Sequence, residues 1–230
     1  MSSSGKRVLI TGGTRGIGRA IAQTLSPTHD LLIGGRDDAS VKQTCAALRS
    51  AEPFVADLAD EDATRAAAES VGDLDAVVHS AGVLGHGPVT SLDRADWRHT
   101  MELNVVAVAD LTRLLLPALR RAHGTVVVIN SGAGLTARAD TALYAASKFA
   151  VRAFADSLRE QEREHGVRVT SIYPGRVDTD MQRELIESGG QHYVGSNYIR
   201  PESIAAAVRL AVEMSADASV DDLSVRPGPR

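Results

Sequence analysis

Seven short runs rich in β-branched residues alternate with longer stretches of helical periodicity along the 230-residue chain. The runs fall at 6–11, 30–35, 52–56, 74–79, 124–130, 167–173 and 222–226. The helical stretches lie near 16–25, 38–50, 60–70, 93–119, 141–165 and 202–214. The runs at 7–11, 76–79 and 125–130 are continuously apolar at their centres instead of alternating, as strands covered on both faces read. Strand and helix in alternation then predict one α/β domain over 1–230, a doubly wound parallel sheet of about seven strands with helices on both faces (a Rossmann fold). In such sheets ligands bind beyond the carboxyl ends of the strands, so functional residues belong just after each strand.

Composition narrows the function. The net charge of −4 offers no basic excess for neutralising phosphates, which argues against a nucleic-acid partner. Cys45 is the only cysteine, so no internal disulfide can form, which suits a reducing cytoplasm. The N-terminal residues lack the apolar region of a signal peptide, and no apolar run reaches the ~18 residues of a spanning helix. A cytoplasmic protein without a membrane partner is expected. His86, His99 and His123 are scattered without ligand spacing, so no metal is assigned.

Chemistry-bearing residues do follow the strands. Thr11-Gly12-Gly13-Thr14-Arg15-Gly16-Ile17-Gly18 links the first strand to a helix. Its glycines allow a tight turn and close approach of a pyrophosphate to the helix N-terminus. After the second strand comes Arg36, and Arg15 can close on the same place. Two guanidiniums suit the 2′-phosphate of NADP(H). NAD(H) stays open through Asp37, although Asp37 or Asp38 also suits the cap of the next helix. Asp57, before Leu58, can accept from an adenine amino group or cap a helix. His79-Ser80-Ala81-Gly82 ends the fourth strand, with small residues that let backbone pass a cofactor and a histidine that reads as packed. Asn104 sits in an apolar helix, where an amide must be hydrogen-bonded; it can hold a water, kink the helix, or be a satisfied buried amide. The turn Pro174-Gly175-Arg176-Val177-Asp178-Thr179 ends the sixth strand, and 180–200 read as a mobile lid. Arg138 and Arg176 are candidates for meeting an acidic substrate.

A further helix should start near Asp140 or Thr141. In it Tyr144 and Lys148 stand four apart, on one face. A nearby cation favours the phenolate, so Lys148 is expected to lower the Tyr144 pKa from its usual value of about 10. Ser131 ends the fifth strand thirteen residues earlier.

These motifs, jointly and in order, resemble the short-chain dehydrogenase/reductase (SDR) family over almost the whole chain. The resemblance rests on Thr-Gly-x-x-x-Gly-x-Gly at 11–18, Asp57-Leu58, Asn104, Ser131, Tyr144-x-x-x-Lys148 and Pro174-Gly175 with Thr179. It implies hydride transfer between nicotinamide C4 and a small carbonyl or secondary alcohol substrate. Tyr144 would be the acid/base, Ser131 the partner of the substrate oxygen, Lys148 the holder of ribose hydroxyls, and Asn104 the holder of a water in a relay. It also implies cofactor contacts from Gly12, Thr14, Arg15, Gly16, Ile17, Gly18, Arg36, Asp57, Leu58, Ala81, Gly82, Tyr144, Lys148, Pro174, Gly175, Val177 and Thr179. Relatives pair their two long helices, here 93–119 and 141–165, into homodimers or homotetramers. Two departures stand out. His79-Ser80 replaces the family's Asn-Asn, and the segment after Thr179 is short, which implies an open substrate pocket. A cofactor-binding sensor without turnover, or a methyltransferase on a similar sheet, are the competing classes.

Overall fold

The computed structural model describes residues 5–229. Seven parallel strands form one sheet in the order β3-β2-β1-β4-β5-β6-β7. They are β1 (Arg7–Ile10), β2 (Asp30–Gly35), β3 (Ala51–Val55), β4 (Ala76–His79), β5 (Thr125–Ile129), β6 (Arg168–Pro174) and β7 (Asp222–Val225). The expected doubly wound sheet is present, and its strand order reverses between β1 and β4. That reversal opens the crevice in which such sheets bind ligands.

The continuous apolar runs have a direct cause. Side chains alternate between faces along a strand. Val8 and Ile10 join one core, with Ile21, Leu25 and Val208, while Leu9 joins the other, with Leu115, Val151 and Leu158. Helices α1 (Gly16–Leu25), α2 (Asp38–Ala46) and α8 (Pro201–Glu213) cover the first face. Helices α3 (Glu61–Glu69), α5 (Ala107–Ala122) and α6 (Ala142–Glu162) cover the second. Among the described residues no helix is long and apolar enough to cross a membrane.

Two elements differ from the sequence reading. The stretch at 93–119 is not one helix. It divides into α4 (Arg94–Met101), a π-helical turn over Glu102–Val106, and α5. The π turn carries Asn104, whose amide bonds backbone outside its own helix. The segment read as an irregular lid contains α7 (Asp180–Ser188), capped by Thr179 Oγ1, which accepts from Gln182 N at 3.3 Å. Ile186 is its only fully buried residue, so its pattern is weak. Beyond α7 the chain is tied back by Tyr193, whose hydroxyl donates to Asp178 Oδ1 at 2.6 Å. The Tyr193 ring stacks on Tyr198 and lies under the Arg183 guanidinium.

Candidate active site

The crevice beside β1 is made chiefly of backbone. Gly12 and Gly16 adopt φ of +63° and +53°, which glycine alone accepts without strain. A Cβ at Gly18 would lie 2.2 Å from the Gly12 carbonyl oxygen, so α1 can start against the turn only with glycine there. Arg15 precedes α1 without a side-chain cap, leaving the first-turn N–H groups to the crevice. Gly12, Thr14, Arg15, Gly16, Ile17, Gly18, Arg36, Asp57, Leu58, Ala81, Gly82 and Thr179 all line this cleft. Phe54, Leu103 and Met181 line it too; apolar residues without a motif gave no sequence signal. Pro174, Gly175 and Val177 do not line it, and neither do Tyr144 and Lys148. Gly175 N donates to Val225 O, and Val177 is buried in a bridge with Ile199.

Polar groups around the cleft settle several alternatives. Asp37 caps α2, accepting from Ser40 N at 2.9 Å, and the Ser40 bonds pull its carboxyl below the usual range. Asp60, not Asp57, caps α3; Asp57 Oδ1 accepts from Ala59 N at 3.1 Å. Arg15 and Arg36 have no carboxylate within ion-pair distance among the described residues. Thr11, a residue the motif reading left without a role, bridges β1 to β4. Its Oγ1 accepts from Ser80 N at 3.0 Å and Ala81 N at 3.1 Å. His79 is packed, as its apolar setting suggested. Its Nε2 lies 2.9 Å from Thr112 Oγ1, which itself donates to Val108 O. Nε2 therefore carries the hydrogen, and burial lowers the ring's pKa to about 4. Among the described residues no group of His, Cys, Asp or Glu could hold a metal ion.

Ser131, Tyr144 and Lys148 come together where β5 meets α6. The α6 N-cap is Thr141, whose hydroxyl is engaged with the Arg138 backbone. Ser131 Oγ accepts from Ala133 N at 3.1 Å, and its hydroxyl is close enough to the Tyr144 phenol to favour the phenolate. Lys148 is buried; its Nζ donates to Ile129 O at 3.0 Å and lies 5.7 Å from the centre of the Tyr144 ring. The expected depression of the Tyr144 pKa is not what the structure gives. Burial raises it, and the nearby Ser131 hydroxyl only partly opposes this. Burial also lowers Lys148 to about 8, because an ammonium loses hydration there.

Asn104 is the satisfied amide among the three readings. Its Oδ1 accepts from Val83 N at 2.9 Å, and its Nδ2 donates to Val83 O at 3.0 Å and to Ser147 Oγ at 3.1 Å. Both amide hydrogens are spent on protein, so its side chain positions the site and is not free to donate to a relay water. It also joins the two parts of the site: a Cβ at Gly82 would lie 3.0 Å from Asn104 Oδ1, and Ser147 belongs to α6.

The chain's sequence and fold are shared with known proteins. The short chain dehydrogenase family model matches residues 6–189. Serine 3-dehydrogenase of Rhizobium radiobacter is 31% identical over 233 residues, covering 96% of this chain and 93% of that one. An alcohol dehydrogenase from the archaeon Thermococcus sibiricus, solved with 5-hydroxy-NADP, superposes with a TM-score of 0.88 at 25% identity, covering 98% of this chain and 99% of that one. A 7α-hydroxysteroid dehydrogenase solved with NADH and 7-oxo glycochenodeoxycholic acid gives 0.86 at 26% identity, covering 96% and 93%. With the family's glycine turn, hydroxyl pair and buried lysine all in place, the chain belongs to the short chain dehydrogenases, a family of oxidoreductases.

Proposed function

We propose that this protein is an NADP(H)-dependent oxidoreductase acting on a small carbonyl compound or secondary alcohol, with Tyr144 as the acid/base. The observation that carries this reading is the meeting of the Ser131 and Tyr144 hydroxyls with Lys148, whose buried ammonium donates to Ile129 O at 3.0 Å and lies 5.7 Å from the centre of the Tyr144 ring. The cofactor fits the chain's own geometry. Gly18 lets α1 start directly against the glycine turn, and unpaired α1 N–H groups face the cleft. A nicotinamide cofactor, when bound, supplies or accepts the hydride.

The proton work belongs to the chain. Ser131 donates a hydrogen bond to the substrate oxygen and holds it beside the phenol. The raised Tyr144 pKa keeps that phenol protonated near neutrality, ready to donate as negative charge grows on the oxygen. Lys148 spends one N–H on Ile129 O, leaving two to hold ribose hydroxyls. Its positive charge favours negative charge on neighbouring oxygens, and that help fades as pH passes about 8, where it loses its proton. Arg15 and Arg36, both in the cleft and both without a carboxylate partner, favour a 2′-phosphate, while Asp37 is committed to α2. The relatives' bound cofactors include both an NADP derivative and NADH, so this preference rests on the arginines.

The reading extends to a cytoplasmic homodimer or homotetramer. Val106 and Phe149 stay exposed beside the long helices and supply apolar surface for a second copy. Light scattering on the purified protein reads that state directly. NADPH oxidation over a panel of small carbonyls tests the activity. Turnover on at least one member is expected, faster with NADPH than NADH. NADPH binding without turnover on any member would make the protein a sensor instead.

A further inference from the structure

Asn130 lies between the two residues of β5 and its exit that serve the site. Ile129 O receives the Lys148 ammonium, and Ser131 carries the hydroxyl next to Tyr144. Asn130 is itself 3% exposed. Its Oδ1 accepts from Ser131 N at 2.8 Å, and its Nδ2 donates to Lys148 O at 3.1 Å. Its backbone N donates to Ile172 O at 2.8 Å, anchoring it to β6. Lys148 is thus held at both ends by consecutive residues of one strand end: its ammonium by Ile129 and its carbonyl by Asn130.

We infer that Asn130 is a positioning residue for the reaction, whose amide sets the spacing between the Ser131 hydroxyl and the Tyr144–Lys148 turn of α6. The inference rests on the proposed oxidoreductase reading. The chemistry requires a side chain that both donates and accepts, as an amide does. The Ser131 N–H only donates and the Lys148 C=O only accepts, so the group between them must offer one acceptor and one donor. An ionised carboxylate has no donor for the carbonyl, and an apolar side chain has neither. The surrounding chain leaves room for this amide alone. A Cβ at Gly134 would stand 2.3 Å from Asn130 Oδ1 and 3.0 Å from Lys148 O, so Gly134 is the reason the amide can lie against α6. On the other flank Ser147 Oγ donates to Tyr144 O at 2.8 Å and accepts from Asn104, so the same turn of α6 is held from both sides. Displacing Asn130 releases one side, and with it the placement of Ser131 against Tyr144.

Two variants test this, Asn130→Asp and Gly134→Ala, the second displacing the amide without changing it. Each is compared with wild type by kcat and KM across pH and by ultraviolet titration of the Tyr144 phenol, identified by its loss in Tyr144→Phe. Misplacement by an ångström costs about a hundred-fold in rate, so kcat should fall by about that factor while KM for NADPH stays near wild type. In Asn130→Asp the loss should shrink as pH falls, because a protonated carboxyl group again donates to Lys148 O. In both variants the phenol should titrate higher than in wild type, since the Ser131 hydroxyl that lowers it is displaced. Folded variants with wild-type kcat, an unmoved pH profile and an unmoved phenol titration would overturn the inference, even if their melting temperatures fall. Should wild type itself turn over no carbonyl, the oxidoreductase reading fails, and the phenol titration alone decides the role of Asn130.

Discussion

At β1 and β4 the carboxyl edge of the sheet is backbone: glycines at positive φ, free helix N–H groups and a threonine hydroxyl bridging two strand ends. At β5 and α6 it is side chains held by specific hydrogen bonds: Ser131 to Ala133, Lys148 to Ile129, Asn130 to Ser131 and Lys148. The two halves answer to different physics. A backbone cradle depends on absent Cβ atoms, and the side chains around it can change. Thr11 fastens Ser80 and Ala81 to β1 through their backbone N–H groups, whatever their side chains. The hydroxyl half depends on which atom donates and which accepts, so isosteric changes there are costly.

This contrast can be broken by substitutions that should separate binding from turnover. The largest effect is expected from Gly18→Ala, whose methyl group would sit 2.2 Å from the Gly12 carbonyl and force the turn apart. Cofactor affinity, read by calorimetry, should drop beyond detection, while the Tyr144 phenol titrates as in wild type. A shifted phenol would show that the halves are not independent. Next is Arg36→Leu. Losing one charge-assisted bond to a phosphate costs about 1.5–3 kcal/mol, so KM for NADPH should rise by roughly ten- to a hundred-fold at unchanged kcat. KM for NADH should stay put. Equal rises for both cofactors would remove Arg36 from the 2′-phosphate.

The smallest effect concerns stability alone. His79 titrates near 4 when folded and about 6.5 when free, so the unfolded chain binds more protons between those values. Its contribution is fully present above pH 6.5 and is lost as pH falls through 4, about 3 kcal/mol in all. His79→Asn should flatten that acid limb in denaturant unfolding and leave kcat at neutral pH alone. An unchanged limb would mean that other groups drive the acid loss.

The two halves were also unequally readable in the sequence. The strands could be read because each apolar run feeds two cores, as Val8, Leu9 and Ile10 do. The glycine turn and the Tyr144–Lys148 spacing could be read because both are local patterns. What escaped is long-range. Asn130 looks like the polar end of a strand until α6, eighteen residues on, presents the Lys148 carbonyl. The π turn at 102–106 has the same periodicity as its neighbours and shows only through Asn104's bonds to Val83. Helix α7 buries a single residue completely, too little for a pattern. The Tyr144 pKa went the other way from expectation because spacing reveals a neighbouring charge, whereas desolvation depends on everything packed around it.

The central claim is that the Tyr144 hydroxyl carries the proton while other groups hold the cofactor. Its most direct test is Tyr144→Phe, with NADPH binding and single-turnover NADPH oxidation measured on the same sample. Unchanged binding with turnover lowered by about 10²–10⁴-fold, the range for losing a general acid, is the predicted result. Near-full turnover would contradict the account.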